Sequence, residues 1–193
     1  MDCGKITTGF TGGSCSDKLP IGGTGTRLIF INHSDIDFEN SSAPSAGILD
    51  EIVLKTGKVG YLFETLGNAN EGGFTFNKGT YVTTYAHSVT ARMFKDGAAA
   101  KAWLDEIKDA RLVIIVEKRE DNASKFEVYG WNSGLKMSEN TGSTTLTDNV
   151  AFAPVFSSED GAQEPALPYT FFDTDEETTE AAITALVTPA SNL

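Results

Sequence analysis

Residues 94–137 read FKDGAAAKAWLDEIKDARLVIIVEKREDNASKFEVYGWNSGLKM, and this stretch decides the fold. Ala99, Ala100, Trp103, Leu104 and Ile107 recur at three- and four-residue spacing, which places them on one face of a helix. The spacing predicts a helix from Lys95 to Asp109, with Lys101, Asp105, Glu106 and Lys108 toward solvent and Asp96 capping the first turn. Leu112-Val113-Ile114-Ile115-Val116 is short, β-branched and continuous, as in a strand covered on both faces, and it predicts a strand over Arg111–Glu117. Asp121-Asn122-Ala123-Ser124 carries turn chemistry, so a second strand, Phe126–Trp131, is expected to return antiparallel to the first. Asn132-Ser133-Gly134 then turns the chain into Leu135-Lys136-Met137.

Outward from this centre the chain reads as β structure. Arg27-Leu28-Ile29-Phe30-Ile31 is apolar at every second position and between, which predicts a central strand over Thr26–Asn32. Ile48–Lys55 and Val59–Thr65 flank the turn Thr56-Gly57-Lys58 and are expected to pair. Gly67–Gly73 reads as a polar tip, Phe74–Phe76 as a short strand, and Tyr81–Met93 as a long strand with neither side strongly apolar. Ser138–Asn149 reads as a loop. Val150–Ser157 is a strand in which Pro154 implies an edge or a bulge, and Tyr169–Phe172 is a last short strand. Five acids between Asp173 and Glu180 precede Ala181–Val187 and suit the first turn of a C-terminal helix.

The fold class expected is mainly β (α+β): an antiparallel sandwich or barrel-like sheets with one principal helix packed on a sheet. Residues 1–25, rich in glycine and threonine, read as an N-terminal arm, 26–172 as the β-rich domain and 173–193 as an acidic C-terminal segment. With 193 residues, 40% of them hydrophobic, the chain suffices for one core. It has no run apolar enough to cross a membrane. Met1–Gly13 has neither a basic region nor an apolar stretch, which predicts synthesis in the cytoplasm.

Composition argues against several functions. A net charge of −12 excludes binding nucleic acid by wrapping its phosphates, which needs clustered Lys and Arg. Cys3, Cys15, His33 and His87 match no zinc pattern, and a cytoplasmic origin favours free thiols over a Cys3–Cys15 disulfide. The Gly22-Gly23-Thr24-Gly25 run is followed by Arg27 and a strand instead of the Gly-Lys-Ser/Thr and helix of a phosphate loop. His87 reads as structural, having no carboxylate or cysteine near it in sequence. No catalytic, cofactor-binding or metal-binding residue is assigned, and the chain is not expected to be an enzyme.

In its layout the chain resembles a bacteriophage tail-tube subunit and, more broadly, ring-forming virion proteins of the tail and neck. The segment that carries the resemblance is Leu112–Glu117 followed by Phe126-Glu127-Val128-Tyr129-Gly130-Trp131-Asn132-Ser133-Gly134-Leu135. It is similar to tail proteins of phages and prophages of Bacteroides-type bacteria, and the likeness spans residues 26–172 in outline. The resemblance implies a structural subunit made in the host cytoplasm and incorporated in the virion. It further implies a homo-oligomeric ring, hexameric if it forms a tube, that contacts other tail or neck proteins and passes DNA without binding it specifically. A capsid-decorating or head–tail connector protein is one alternative. A β-sandwich adhesin or glycan-binding module is another, with Trp103, Trp131, Tyr129 and Tyr169 as the aromatics available for a platform, Trp103 being read as core and Trp131 as exposed.

Overall fold

The computed structural model describes residues 22–42, 44–120, 122–142 and 150–188. Ten strands and two helices follow one another: β1 (Thr24–Asn32), β2 (Ile48–Leu49), β3 (Tyr61–Glu64), β4 (Glu71–Lys78), β5 (Thr83–Thr90), α1 (Ala98–Ile107), β6 (Leu112–Lys118), β7 (Phe126–Tyr129), β8 (Lys136–Gly142), β9 (Phe152–Ser157), β10 (Tyr169–Phe171) and α2 (Glu176–Val187). They form a six-stranded sheet ordered β2-β10-β7-β6-β1-β3 and a four-stranded sheet ordered β4-β5-β9-β8. All pairs are antiparallel except β2 with β10. The fold is mainly β with two helices, as the composition and patterning predict.

The six-stranded sheet is covered on both faces, which is why its central strands read as unbroken apolar runs. Ile29, Ile31, Val113 and Ile115 point to one core, completed by Ile36, Leu49, Ile52 and by Ile183 and Leu186 of α2. Leu28, Phe30, Leu112, Ile114 and Val116 point to a second core, shared with Val89, Phe156 and with Leu104 and Ile107 of α1. The expected β6–β7 hairpin forms, in the register Ile114↔Tyr129 to Glu117↔Phe126. Asp175 caps α2, its carboxylate accepting from the Thr178 N–H at 2.8 Å. The segment containing α2 therefore closes a core of the domain.

Several expectations need correction. The helix at the centre of the chain runs from Ala98, not Lys95, because Gly97 at φ +127° cannot be helical. The Asp96 carboxylate accepts from the neighbouring Gly97 N–H instead of capping a turn. Ile48–Lys55 and Val59–Thr65 do not pair. Residues 51–55 bond to the loop before them (Asp37 N–H to Val53 O and Lys55 N–H to Asp35 O, both 2.9 Å), while β3 adds to β1. The local turn exists, but burial of Leu28–Ile31 against β3 outweighs it.

Pro154 lies in β9, an interior strand between β5 and β8. Its carbonyl accepts from the Ala91 N–H, and the register shift falls in the partner strand, between Met137 and Glu139. Ser138–Gly142 belongs to β8 and not to a loop; residues 143–149, like most of the N-terminal arm, lie outside the described residues. β1 begins at Thr24, inside the expected arm.

Trp131 is buried, at 4% exposure, where an exposed side chain is expected. Strict alternation would place it with Tyr129, on the face of the second core. Gly130 adopts φ +74°, ends β7 at Tyr129 and turns Trp131 into the first core with Phe126 and Val128. A methyl at position 130 would lie 2.7 Å from Leu135 Cγ, so glycine is required there on both counts.

Candidate functional site

The surface that sets this molecule apart is the β4–β5 hairpin. Its two strands pair along their full length, from Glu71↔Thr90 to Lys78↔Thr83. Gly79 N–H donates to Val82 O to close the tip, and a Cβ at position 79 would meet that oxygen at 2.6 Å. β5 is held by β9 at Ser88–Thr90 and by Glu164 at Tyr85, so only the end of the hairpin beyond Tyr85 extends past these partners.

The hairpin carries apolar side chains into solvent. Phe74 is 52% exposed, Phe76 57%, Tyr81 97% and Val82 66%. Phe74 and Phe76 share one face with Tyr85, whose ring packs edge-on against both at centroid distances of 6.2 and 5.8 Å. Such cross-strand aromatic pairs stiffen a two-stranded ribbon. The sequence reading places strands at Phe74–Phe76 and Tyr81–Met93 but ends the polar tip at Gly73, which makes the first strand too short. Gly72 and Gly73 lie within β4, and Gly72 is bare because the Tyr129 hydroxyl would sit 2.7 Å from any Cβ there.

Two buried polar groups anchor the base of the hairpin. His87, 2% exposed, accepts through Nδ1 from the Gly130 N–H at 3.2 Å and donates through Nε2 to the Ala166 carbonyl at 3.0 Å. These contacts fix the neutral tautomer protonated at Nε2. Burial pushes the imidazole below its usual pKa, against the opposing effect of the Glu164 carboxylate. Glu164 is fully buried; its backbone pairs with Tyr85, and its carboxylate accepts from the N–H groups of Asn132 and Ser133 and from Asn132 Nδ2. The residues 158–168 connection is thereby tied to both sheets. Both ring nitrogens of His87 are thus engaged within the fold.

Known proteins offer no guide to this surface. Comparison finds no matching family model, no matching curated protein and no matching solved structure.

Away from the hairpin, several charged groups are paired within the fold. Arg27 forks onto Glu117 through Nε and Nη2 (3.1 and 2.7 Å) and reaches Glu180 of α2 at 2.9 Å, where Lys125 also binds. The hydrogen bond to Glu117 outweighs burial and raises the guanidinium above its usual value. Burial works to raise the Glu180 carboxyl, but Arg27 and Lys125 outweigh it and hold it below the usual range. Tyr129 donates to Glu127 at 2.7 Å, and burial, reinforced by that carboxylate, pushes its hydroxyl above the usual phenol range. Asn70 Nδ2 is buried without a partner among the described residues, at a cleft of about 280 Å³ that Lys118, Glu127 and Tyr129 also line.

Among the described residues no group of three or more His, Cys, Asp or Glu is placed to hold a metal, and no helix is long and apolar enough to cross a membrane. Cys3 and Cys15 lie outside the described residues. His33 Nε2 contacts the Asn132 carbonyl at 3.1 Å. The four aromatics expected of a sugar platform do not form one: Trp131 and Tyr129 are buried in different cores, and Trp103 stacks on Phe63. The signal that would have found the hairpin is the alternation Phe74-Thr75-Phe76 before Gly79, with Tyr81 and Tyr85 after it.

Proposed function

We propose that this chain is a structural subunit that assembles with its own copies, as a ring of a phage tail tube or neck does. The observation that carries the reading is the exposed aromatic hairpin at the rim of a sheet, with Phe74 and Phe76 on β4 and Tyr81 and Val82 in the turn that leads to β5. A contiguous apolar ribbon of this kind marks an interaction surface. Its backbone edge also invites pairing, since β4 bonds only to β5 among the described residues. The layout of residues 26–172 supports the phage assignment, and the net charge of −12 suits a subunit that passes DNA without holding it. A neck ring, connector or capsid-decorating role belongs to the same class of assembly.

If the long strand Tyr81–Met93 lines the channel of such a ring, it brings no acidic residue to it, and Val89 and Ala91 on it are buried. A negative lumen would therefore draw its acids from other elements. Negative-stain microscopy and sedimentation velocity across a concentration series test the reading. Rings or tubes are the expected result. A monomer at every concentration, with and without added tail components, would overturn it.

A further inference from the structure

We infer that the β4–β5 hairpin of one copy docks head to tail into the groove between β3 and residues 93–95 of a second copy, with Lys78 set against Glu64. The inference rests on the self-assembling reading and names the two surfaces it would use.

Charge selects the hairpin. Two copies carrying −12 each repel one another over most of their surfaces. All 27 acidic residues lie outside residues 72–94, a stretch that contributes Lys78 and Arg92. Arg92 is paired with Glu71 at the base of the hairpin, so Lys78 is the charge that its outer part presents to a second, acidic copy. Its exposed rings add apolar area at the same place.

The receiving surface is the second concentration of exposed apolar side chains. Tyr61, Leu62 and Leu66 are 52%, 45% and 62% exposed on and just after β3. β3 is the rim of the six-stranded sheet and bonds only to β1 among the described residues. Beside it lies a groove of about 440 Å³ lined by Phe63, Glu64, Leu66, Met93 and Phe94. Glu64 is the one acid in that lining, which also includes Lys95. An aromatic finger bearing a lysine fits an apolar groove bearing a carboxylate.

The two surfaces stand at opposite ends of β5. Ten residues separate Thr83 at the tip from Met93 in the groove, a distance of about 30 Å at the rise of an extended strand. A contact that joins two different patches is heterologous, so each copy keeps a free hairpin or a free groove for the next. Such contacts close into a ring or continue as a filament.

Sedimentation velocity on complementary variants tests this. The hairpin variant Phe74→Ser/Phe76→Ser and the groove variant Leu66→Ser change only residues at least 52% exposed, and circular dichroism confirms that each is folded. Each alone is expected to stay monomeric where the wild type assembles, and an equimolar mixture is expected to give a one-to-one dimer through the one intact pair of surfaces. Lys78→Glu is expected to weaken assembly about tenfold and Glu64→Lys combined with it to restore most of the loss. These charge swaps keep the test decisive should either serine variant unfold. Wild-type assembly that persists in all variants, or a mixture that stays monomeric with no rescue by the double charge swap, would overturn the docking while leaving self-assembly standing. A wild type that never assembles would remove both.

Discussion

His87 Nδ1 accepts a hydrogen bond from the Gly130 backbone N–H at 3.2 Å, and this bond joins β5 of the four-stranded sheet to the end of β7 in the other. The two residues meet across the second core, where the His87 and Tyr129 rings pack edge-on. The root of the exposed hairpin is therefore fixed by a buried polar contact as well as by packing. Four predictions follow from the groups around it.

Stability should fall with acid through His87. Its folded pKa is depressed by burial, so the unfolded chain binds the proton more readily. The stability contributed by the neutral ring is complete above the unfolded value of 6.5 and is lost as pH falls from there toward the folded value. Urea midpoints at pH 7.5 and 5.5 should differ for the wild type. The difference should shrink in His87→Gln, and an unchanged difference would exclude His87 as its source.

Gly130→Ala should destabilise the fold by more than about 1 kcal/mol, because alanine is strained at positive φ and the added methyl meets Leu135. Trp131 and the His87 contact both depend on this turn. Chemical denaturation should show a lower midpoint, and a midpoint equal to the wild type would remove the strain argument.

Arg27→Met should leave Glu117, only 10% exposed, without its forked partner. A cost of about 1–3 kcal/mol is expected, less than for a fully buried pair because Arg27 keeps about a quarter of its side-chain exposure. Glu180 also loses one of the two cations that hold its pKa down, Lys125 being the other. Its contribution in the wild type is present above the unfolded value of 4.5 and is lost as pH falls toward the folded value, so the variant should show less acid dependence below pH 4.5. Acid titrations of both proteins followed by circular dichroism measure this.

The two tryptophans should differ. Trp131→Ala removes a large side chain from the core beneath α2 and should cost about 3–5 kcal/mol. Trp103→Ala should cost less, since Trp103 is half-buried against Phe30 and Phe63. In single-tryptophan variants, acrylamide should quench Trp103 fluorescence more strongly than that of Trp131. Equal quenching would contradict the burial of Trp131.

Much of the fold is legible in local sequence because local periodicity records which faces are covered. The runs Leu28–Ile31 and Leu112–Val116 announce strands buried on both sides, and Ala99, Trp103, Leu104 and Ile107 announce the helix that packs there. Asp175 and the acids after it announce the start of α2. Each of these signals depends on neighbours within one or two turns or a few alternations.

What the sequence by itself determined is therefore the set of elements: a mainly β chain, the central β6–β7 hairpin and the helices on either side of it. The tertiary structure alone decided how they are partnered. Residues 51–55 chose the preceding loop over β3, Pro154 took an interior strand, and Trp131 crossed from one core to the other through the single dihedral of Gly130. It also decided which apolar residues stay outside. Phe74 and Phe156 are the same residue type in strands of one sheet, yet one is half-exposed and the other fully buried, because β9 has strands on both sides and the six-stranded sheet beneath it. Burial is set by what lies across the core from a residue, and that partner is distant in the chain.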